Sequence, residues 1–389
     1  MGKGLAINFL SENVYGDIPL EIAITKASTA IKKALQLDPD LPEAYAVMGL
    51  IEVDNNHPEQ AIVQFKKAIA LNPNYADVYV WYGGLLFDQP NKRLEQFRKA
   101  IQLNPMSMLA NTNYAFDLTH YGKIEEARTV VERLLSINPK HHFSHQVLGK
   151  IFLAEGRYAE AIMAFETAIK HGPDDIKVRF SAAKTLASIG MTDKAASYLA
   201  GTARDPLKYW YLGDKDAFIS QVRATYPRNA EDLFGHFFRG SAEAIVGNDS
   251  EAIKYFNSVP KDWISFERIY SHQQLGNAEE AQALLLEQKR LMQPWIEAGG
   301  KYYNGGDMMQ QIELALMETA CLEGDVEQAM VYLKKVMEKN TILNFDYKTD
   351  LVYQKLRAHP QWPAILAESE KRAAVQREMY MKLVAGESI

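Results

Sequence analysis

The chain has a single cysteine, Cys321, among 389 residues. An internal disulfide is thereby excluded, and the count fits a reducing compartment, so a cytoplasmic location is expected. No apolar run approaches the roughly 18 residues that a membrane span needs, so no membrane insertion is expected. Met1 to Leu10 lacks the basic-then-apolar order of a secretion signal, and Ala6 stands where myristoylation of Gly2 would require Ser or Thr. Charge of one sign is also missing. The 43 basic and 49 acidic residues are spread along the chain and leave a formal net charge of -6. No basic run offers a face to nucleic acid. Neither a Gly-x-Ser-x-Gly elbow nor a His-Glu-x-x-His string occurs. The glycines between 299 and 306 do not cradle phosphate, because Asp307 follows Gly306 where that loop needs Lys and then Ser or Thr. No catalytic residue, cofactor or metal is assigned on these grounds.

What the chain does have is a beat. Gly49, Ala61, Phe65, Ala68 and Pro73 return as Gly149, Ala161, Phe165, Ala168 and Pro173, with the same internal spacings of 12, 4, 3 and 5. Pro39, Pro73, Pro105, Pro139, Pro173 and Pro206 follow one another at intervals of 34, 32, 34, 34 and 33 residues. Four of them end near-identical strings: Leu37-Asp38-Pro39, Leu71-Asn72-Pro73, Leu103-Asn104-Pro105 and Ile137-Asn138-Pro139. Each string ends a helix, since Asp and Asn disfavour helix interiors and the residue before proline is pushed out of the α region. A period near 34 predicts helix pairs stacked in series, each touching mainly its neighbours. Gly49, Gly83 and Gly149, with Ala27, Ala61, Ala127, Ala161 and Ala195, are expected to let helix backbones approach. Phe65, Phe97 and Phe165 are expected to fill the space toward the next pair.

These residues resemble the tetratricopeptide repeat family, most closely at 42–75 and 142–175. The aromatic expected at the fourth position of each repeat is present as Tyr45 and Tyr79 but is Asn111 and His145 elsewhere. The resemblance implies an all-α fold, a right-handed superhelix of about nine or ten helix pairs. Helices are expected at 19–37, 42–54, 58–71, 75–87, 91–103, 107–120, 124–137, 141–155, 158–171, 175–189 and 192–203. The repeat at 76–107 is two residues short, which predicts a tighter turn between its helices. Four segments are expected: an array of about six repeats at 1–206, divergent pairs at 207–293, a Gly-rich loop at 294–307, and a last pair with C-terminal capping helices at 308–389. The chain opens inside a first repeat, 8–39, as a fragment of a larger protein would.

The tail adds a narrower resemblance. Leu356-Arg357-Ala358-His359-Pro360-Gln361-Trp362 before a last helix is similar to the C-terminal halves of certain bacterial transcription regulators with winged-helix domains, or of class III nucleotide cyclases. In that reading the chain is the sensory half of a regulator whose output domain is absent. The weak heptad of the last helix (Trp362, Leu366, Ser369, Ala373, Gln376, Tyr380, Leu383) leaves capping or a homodimer contact open.

In the family, first helices line the concave side. The resemblance places there Val47, Leu50, Asp77, Trp81, Phe87, Asn113, Phe116, Phe143, Lys150, Phe180 and Lys184. Such an apolar, aromatic strip suits an amphipathic helix or extended peptide, so a protein or peptide partner is expected. Two other uses stay open: packing between repeats, and cover by the chain's own tail. A chaperone-type carboxylate clamp is not expected, because the positions that would supply its Lys and Asn hold Ala46, Leu50, Trp81, Leu109 and Asn113, of which only Asn113 suits it. His141, His142 and His145 form the one metal-like cluster, but no adjacent Cys, Asp or Glu completes a site. Cys321 and the Tyr209-Trp210-Tyr211 cluster read as core.

Overall fold

The computed structural model describes residues 20–387, apart from 56, 173–174, 203–205, 227–232, 261–262, 305–308, 344–346 and 349. The opening segment 1–19, Pro173, Gly305, Gly306 and Asp307 lie outside the described residues. The chain divides into two compact units, residues 1–118 with 125–134, and residues 119–124 with 135–389. Each is described by itself.

The first unit is built from α1 (Leu20–Leu37), α2 (Pro42–Asp54), α3 (Pro58–Leu71), α4 (Ala76–Leu85), α5 (Pro90–Leu103) and most of α6 (Met108–His120) and α7 (Ile124–Ile137). Three of these helices start at proline, whose missing N–H costs nothing in a first turn. At four of the beat's prolines a side chain six residues later meets the proline carbonyl. Tyr45 Oη donates to the Pro39 carbonyl at 2.8 Å and Tyr79 Oη to Pro73 at 2.9 Å. Asn111 Nδ2 donates to Pro105 at 3.0 Å, and in the second unit His145 Nε2 meets the Pro139 carbonyl at 2.8 Å. The position therefore asks for a hydrogen-bond donor, and the ring is optional.

Within a pair, glycine answers phenylalanine. A Cβ built on Gly49 would stand 2.4 Å from the Phe65 ring, and on Gly83 2.8 Å from Phe97. In the second unit the same overlap recurs between Gly149 and Phe165 at 2.4 Å and between Gly240 and Phe256 at 2.8 Å. The glycine thus makes room for the partner helix's ring, not for its backbone as the sequence reading had it. Where the glycine is alanine the ring shrinks: Ala115 faces the register of Val131 and Ala183 that of Leu199, all fully buried.

The short repeat departs from expectation. Its turn is not tighter; instead α4 stops at Leu85, leaving 86–89 as the link. At this early stop the Gly83 carbonyl accepts from Leu86 N–H at 3.1 Å, and Arg93 Nη1 approaches the carbonyls of Gly83 and Gly84 at 3.4 and 3.3 Å. Arg93 takes the register held by Ala61 in the preceding repeat. Its Nε contacts both Asp117 oxygens at 3.0 and 2.9 Å in a buried ion pair.

The second unit continues with α8 (His142–Ala154), α9 (Tyr158–His171), α10 (Ile176–Ser188), α11 (Thr192–Leu199), α12 (Leu207–Tyr211), α13 (Lys215–Thr225), α14 (Leu233–Ile245), α15 (Asp249–Phe256), α16 (Phe266–Gln274) and α17 (Ala278–Glu297). No boundary in the core falls at 206, because Ala195, Leu199, Trp210, Tyr211 and Phe218 share one buried cluster. Nor does the chain break at Pro294, which lies inside α17. Burial of Met292 and Trp295 against Ile312 and Ala315 carries the helix past it. The Gly-rich loop contains a short antiparallel hairpin, β1 (Tyr302–Asn304) with β2 (Met309–Gln311), pairing Tyr303 with Gln310. Then come α18 (Ile312–Glu323), α19 (Val326–Met337), a 3₁₀ turn at Leu351–Tyr353, α20 (Gln354–Arg357) and α21 (Trp362–Ala385).

This C-terminal stretch does more than cap the last pair. Gly122, Gly156 and Gly190 close consecutive first helices with φ of 68, 75 and 81°. Each is met by a residue from far along the chain: Lys301 against Gly122, Asn340 against Gly156 and Arg377 against Gly190. Lys301 N–H donates to the His120 carbonyl at 2.7 Å. Ile342 N–H donates to Tyr158 Oη at 2.8 Å, and Ala159 N–H to Gln376 Oε1 at 2.9 Å. Glu166 Oε1 accepts from Tyr198 at 2.8 Å and Tyr380 at 2.7 Å and pairs with Lys194 at 3.0 Å. Thus α21 lies on α9 as well as on the final pair.

Two outcomes test this account. Gly149→Ala is expected to destabilise the fold by about 1–3 kcal/mol through overpacking. Adding Phe165→Val, the combination already used at 115 and 131, is expected to recover much of that loss in thermal unfolding. Asp54, which ends α2, is buried with no hydrogen-bond partner for either carboxylate oxygen among the described residues, and burial pushes its pKa up to about 6. The folded state therefore keeps a proton that the unfolded chain releases near pH 4, so stability falls as pH rises from 4 to 6. Asp54→Asn is expected to stabilise the protein by roughly 2 kcal/mol at pH 7.5 and to change little at pH 4, as read by denaturant titration.

Candidate partner-binding surface

In the first unit the strip residues differ in how much they offer. Asp77 is exposed, while Val47, Trp81, Phe87, Asn113 and Phe116 are half-buried. Leu50 is 8% exposed and packs with Tyr45, Val53 and Phe65, so it is core and leaves the strip. Trp81 lies 6.2 Å from the Phe65 ring and 6.1 Å from Tyr75, which holds one edge of the indole against the pair. The Arg93 guanidinium stands 4.7 Å over Phe87. Asn113 Nδ2 donates to the Leu109 carbonyl one turn back at 2.9 Å.

In the second unit Phe143 is half-buried, with its ring 4.0 Å from that of His142. Lys150 is 7% exposed and also leaves the strip. Phe180 packs against the cluster that holds Trp210 and Tyr380. Lys184 is half-buried, and its carbonyl accepts from Ser188 Oγ at 2.8 Å. The tail reaches α9 and the helix turns, and at Phe180 it shares a core with one strip residue.

Reactive groups are few and subdued. Cys321 is buried, and burial pushes its thiol up to about 12, so it is a small core residue and not a nucleophile. Trp210 and Tyr211 are core as well. Among the described residues no group of three or more His, Cys, Asp or Glu is placed to hold a metal ion. Likewise, no helix among them is long and apolar enough to cross a membrane.

Two charged centres escaped the sequence reading. Burial drives the Asp117 carboxyl above the ordinary carboxylate range, and the Arg93 guanidinium works against that rise. The cue was present, since Arg93 occupies a register that is alanine in other repeats. The other centre is Glu243, fully buried, which accepts from Arg223 at 2.8 and 2.7 Å and from Asn248 at 2.9 Å. Burial would raise its carboxyl, but these hydrogen bonds hold it below the ordinary range. No sequence cue marks this second group.

Comparison with known proteins agrees with the geometry. Residues 46–103 and 121–176 match one family model described as tetratricopeptide repeat, and residues 152–212 match a second. The matches end at 212, so the narrower resemblance of the tail gains nothing from them. No curated protein matches the chain. Among solved structures, the pilF product of Pseudomonas aeruginosa is 22% identical over 49% of this chain and 94% of its own, with a TM-score of 0.40. TTC0263, a thermophilic repeat protein of Thermus thermophilus, is 19% identical over 48% and 97%, with a TM-score of 0.38. YrrB, described as having an unusual peptide-binding site, is 18% identical over 49% and 97%, with a TM-score of 0.35. These are partial overlaps, and the functional reading rests on the chain's own residues. Residues 46–103 and 121–212 thus match tetratricopeptide repeats.

Proposed function

We propose that this protein is an interaction scaffold whose first helices take a peptide or amphipathic helix of a partner protein. The observation that carries the reading is a contrast within the first unit. Second-helix aromatics Phe65 and Phe97 are fully buried, whereas the first-helix aromatics Trp81 and Phe116, and Phe87 in the link that follows α4, keep part of their surface in solvent. Half-buried aromatics are already held at one edge, so a partner's side chains meet a preorganised surface and little ordering is needed on binding. Asp77, exposed at the rim, gives the surface a polar border. The remaining candidates in this unit are Val47 and Asn113, and in the second unit Phe143, Phe180 and Lys184.

A partner captured from the source organism and mapped to a peptide gives the test. Trp81→Ala together with Phe116→Ala is expected to weaken that peptide's binding at least ten-fold, while melting temperature falls by only a few degrees. Equal affinity in the folded double variant would remove the first helices from the interface.

A further inference from the structure

Four imidazoles gather where α8 begins and α9 ends. His141 caps α8, His142 and His145 lie in its first turn, and His171 closes α9. The rings of His145 and His171 are 6.2 Å apart, and those of His141 and His142 6.1 Å. Lys140 and Lys170 stand exposed beside them. Burial, then His142 and His145, hold His141 below the ordinary histidine range. Desolvation, then His145, Lys170, Lys140 and His142, do the same to His171.

The partners of these groups are few. His141 Nδ1 meets Ser144 Oγ at 2.8 Å, and His145 Nε2 is committed to the Pro139 carbonyl. His142 stacks on Phe143 and lies against Gly172. Asp175, at the start of α10, accepts from the backbone N–H groups of Lys177 and Val178. Among the described residues, no carboxylate forms an ion pair with any of the four imidazoles or the two ammonium groups. A chain of net charge -6 thus carries one edge where, among the described residues, these basic groups have no carboxylate counter-charge.

We propose that this edge binds a carboxylate-rich peptide segment, and binds it more tightly as the histidines gain protons. A metal is disfavoured because His145 Nε2 is already taken and the rings do not converge. A single compact anion is disfavoured by the spread of the donors. Alternate side chains of an extended peptide fall roughly 6.6 Å apart, close to the spacing of these rings. Each proton gained adds a charged donor, and a bound carboxylate favours that proton in turn. The surface meets the strip described above at Phe143, on which His142 packs.

Calorimetric titration of the full chain with hexaglutamate, in low salt with chelator, tests the proposal. Binding is expected to be at least ten-fold tighter at pH 5.5 than at pH 7.5, with none for hexaglutamine. His145→Asn with His171→Asn is expected to abolish that pH gain. Asn111 makes the equivalent carbonyl contact in the preceding repeat, so the fold should survive. Should that variant unfold, Lys140→Gln with Lys170→Gln decides, with weaker binding expected at both pH values. Equal affinity at the two pH values, or an unchanged pH gain in the folded histidine variant, would overturn the proposal. So would unaltered binding by the lysine variant, binding seen only when chelator is omitted, or tighter binding of inorganic phosphate than of the peptide.

Discussion

In four of the helix pairs the missing side chain of one glycine is the constraint on which the packing depends. At Gly49, Gly83, Gly149 and Gly240 an aromatic ring from the second helix occupies the volume a Cβ would need. That contact sets how closely the two helices pack, and close packing is where interior dispersion energy comes from. The pairs that lack the glycine keep the sum of volumes: alanine with valine, alanine with leucine. Farther along, Ile269 with Leu285 and Met317 with Leu333 fill the same registers with larger side chains on both helices. The rule of fit therefore relaxes toward the C-terminal end, where α18, α19 and the tail share one core.

Much of the fold was legible in the sequence because its period is covalently simple. Helix bounds at Pro58–Leu71, Ile124–Ile137 and Tyr158–His171 coincide with those read from the proline beat. What failed to show had physical causes outside the period. The early end of α4 depends on Arg93 reaching two carbonyls, and Pro294 stays helical because Trp295 is buried beyond it. Long-range contacts such as Tyr158 to Ile342 or Glu166 to Tyr380 join residues more than 180 positions apart, and no local pattern encodes them.

The candidate surface was less legible than the fold. Family position alone nominated Leu50 and Lys150, yet both are buried. A position in a repeat fixes which way a side chain starts, and the neighbours decide how much water it keeps. Half-burial of Trp81, Phe87 and Phe116 could only be read from packing. The histidines at 141, 142 and 145 were noticed for metal chemistry, but His171 joins them only through the pairing of α8 with α9. That fourth ring changes the question from coordination to charge.

The contact line from Lys301, Asn340 and Arg377 to three successive turns has an evolutionary corollary. Tandem arrays commonly grow and shrink by duplication of whole units, because each unit needs only the one before and after it. Here, gaining or losing one hairpin between Gly122 and Gly190 would throw the returning strand of chain out of step by a whole rung. That stretch is locked at its present count, and room for change in length is left to the hairpins outside the lock.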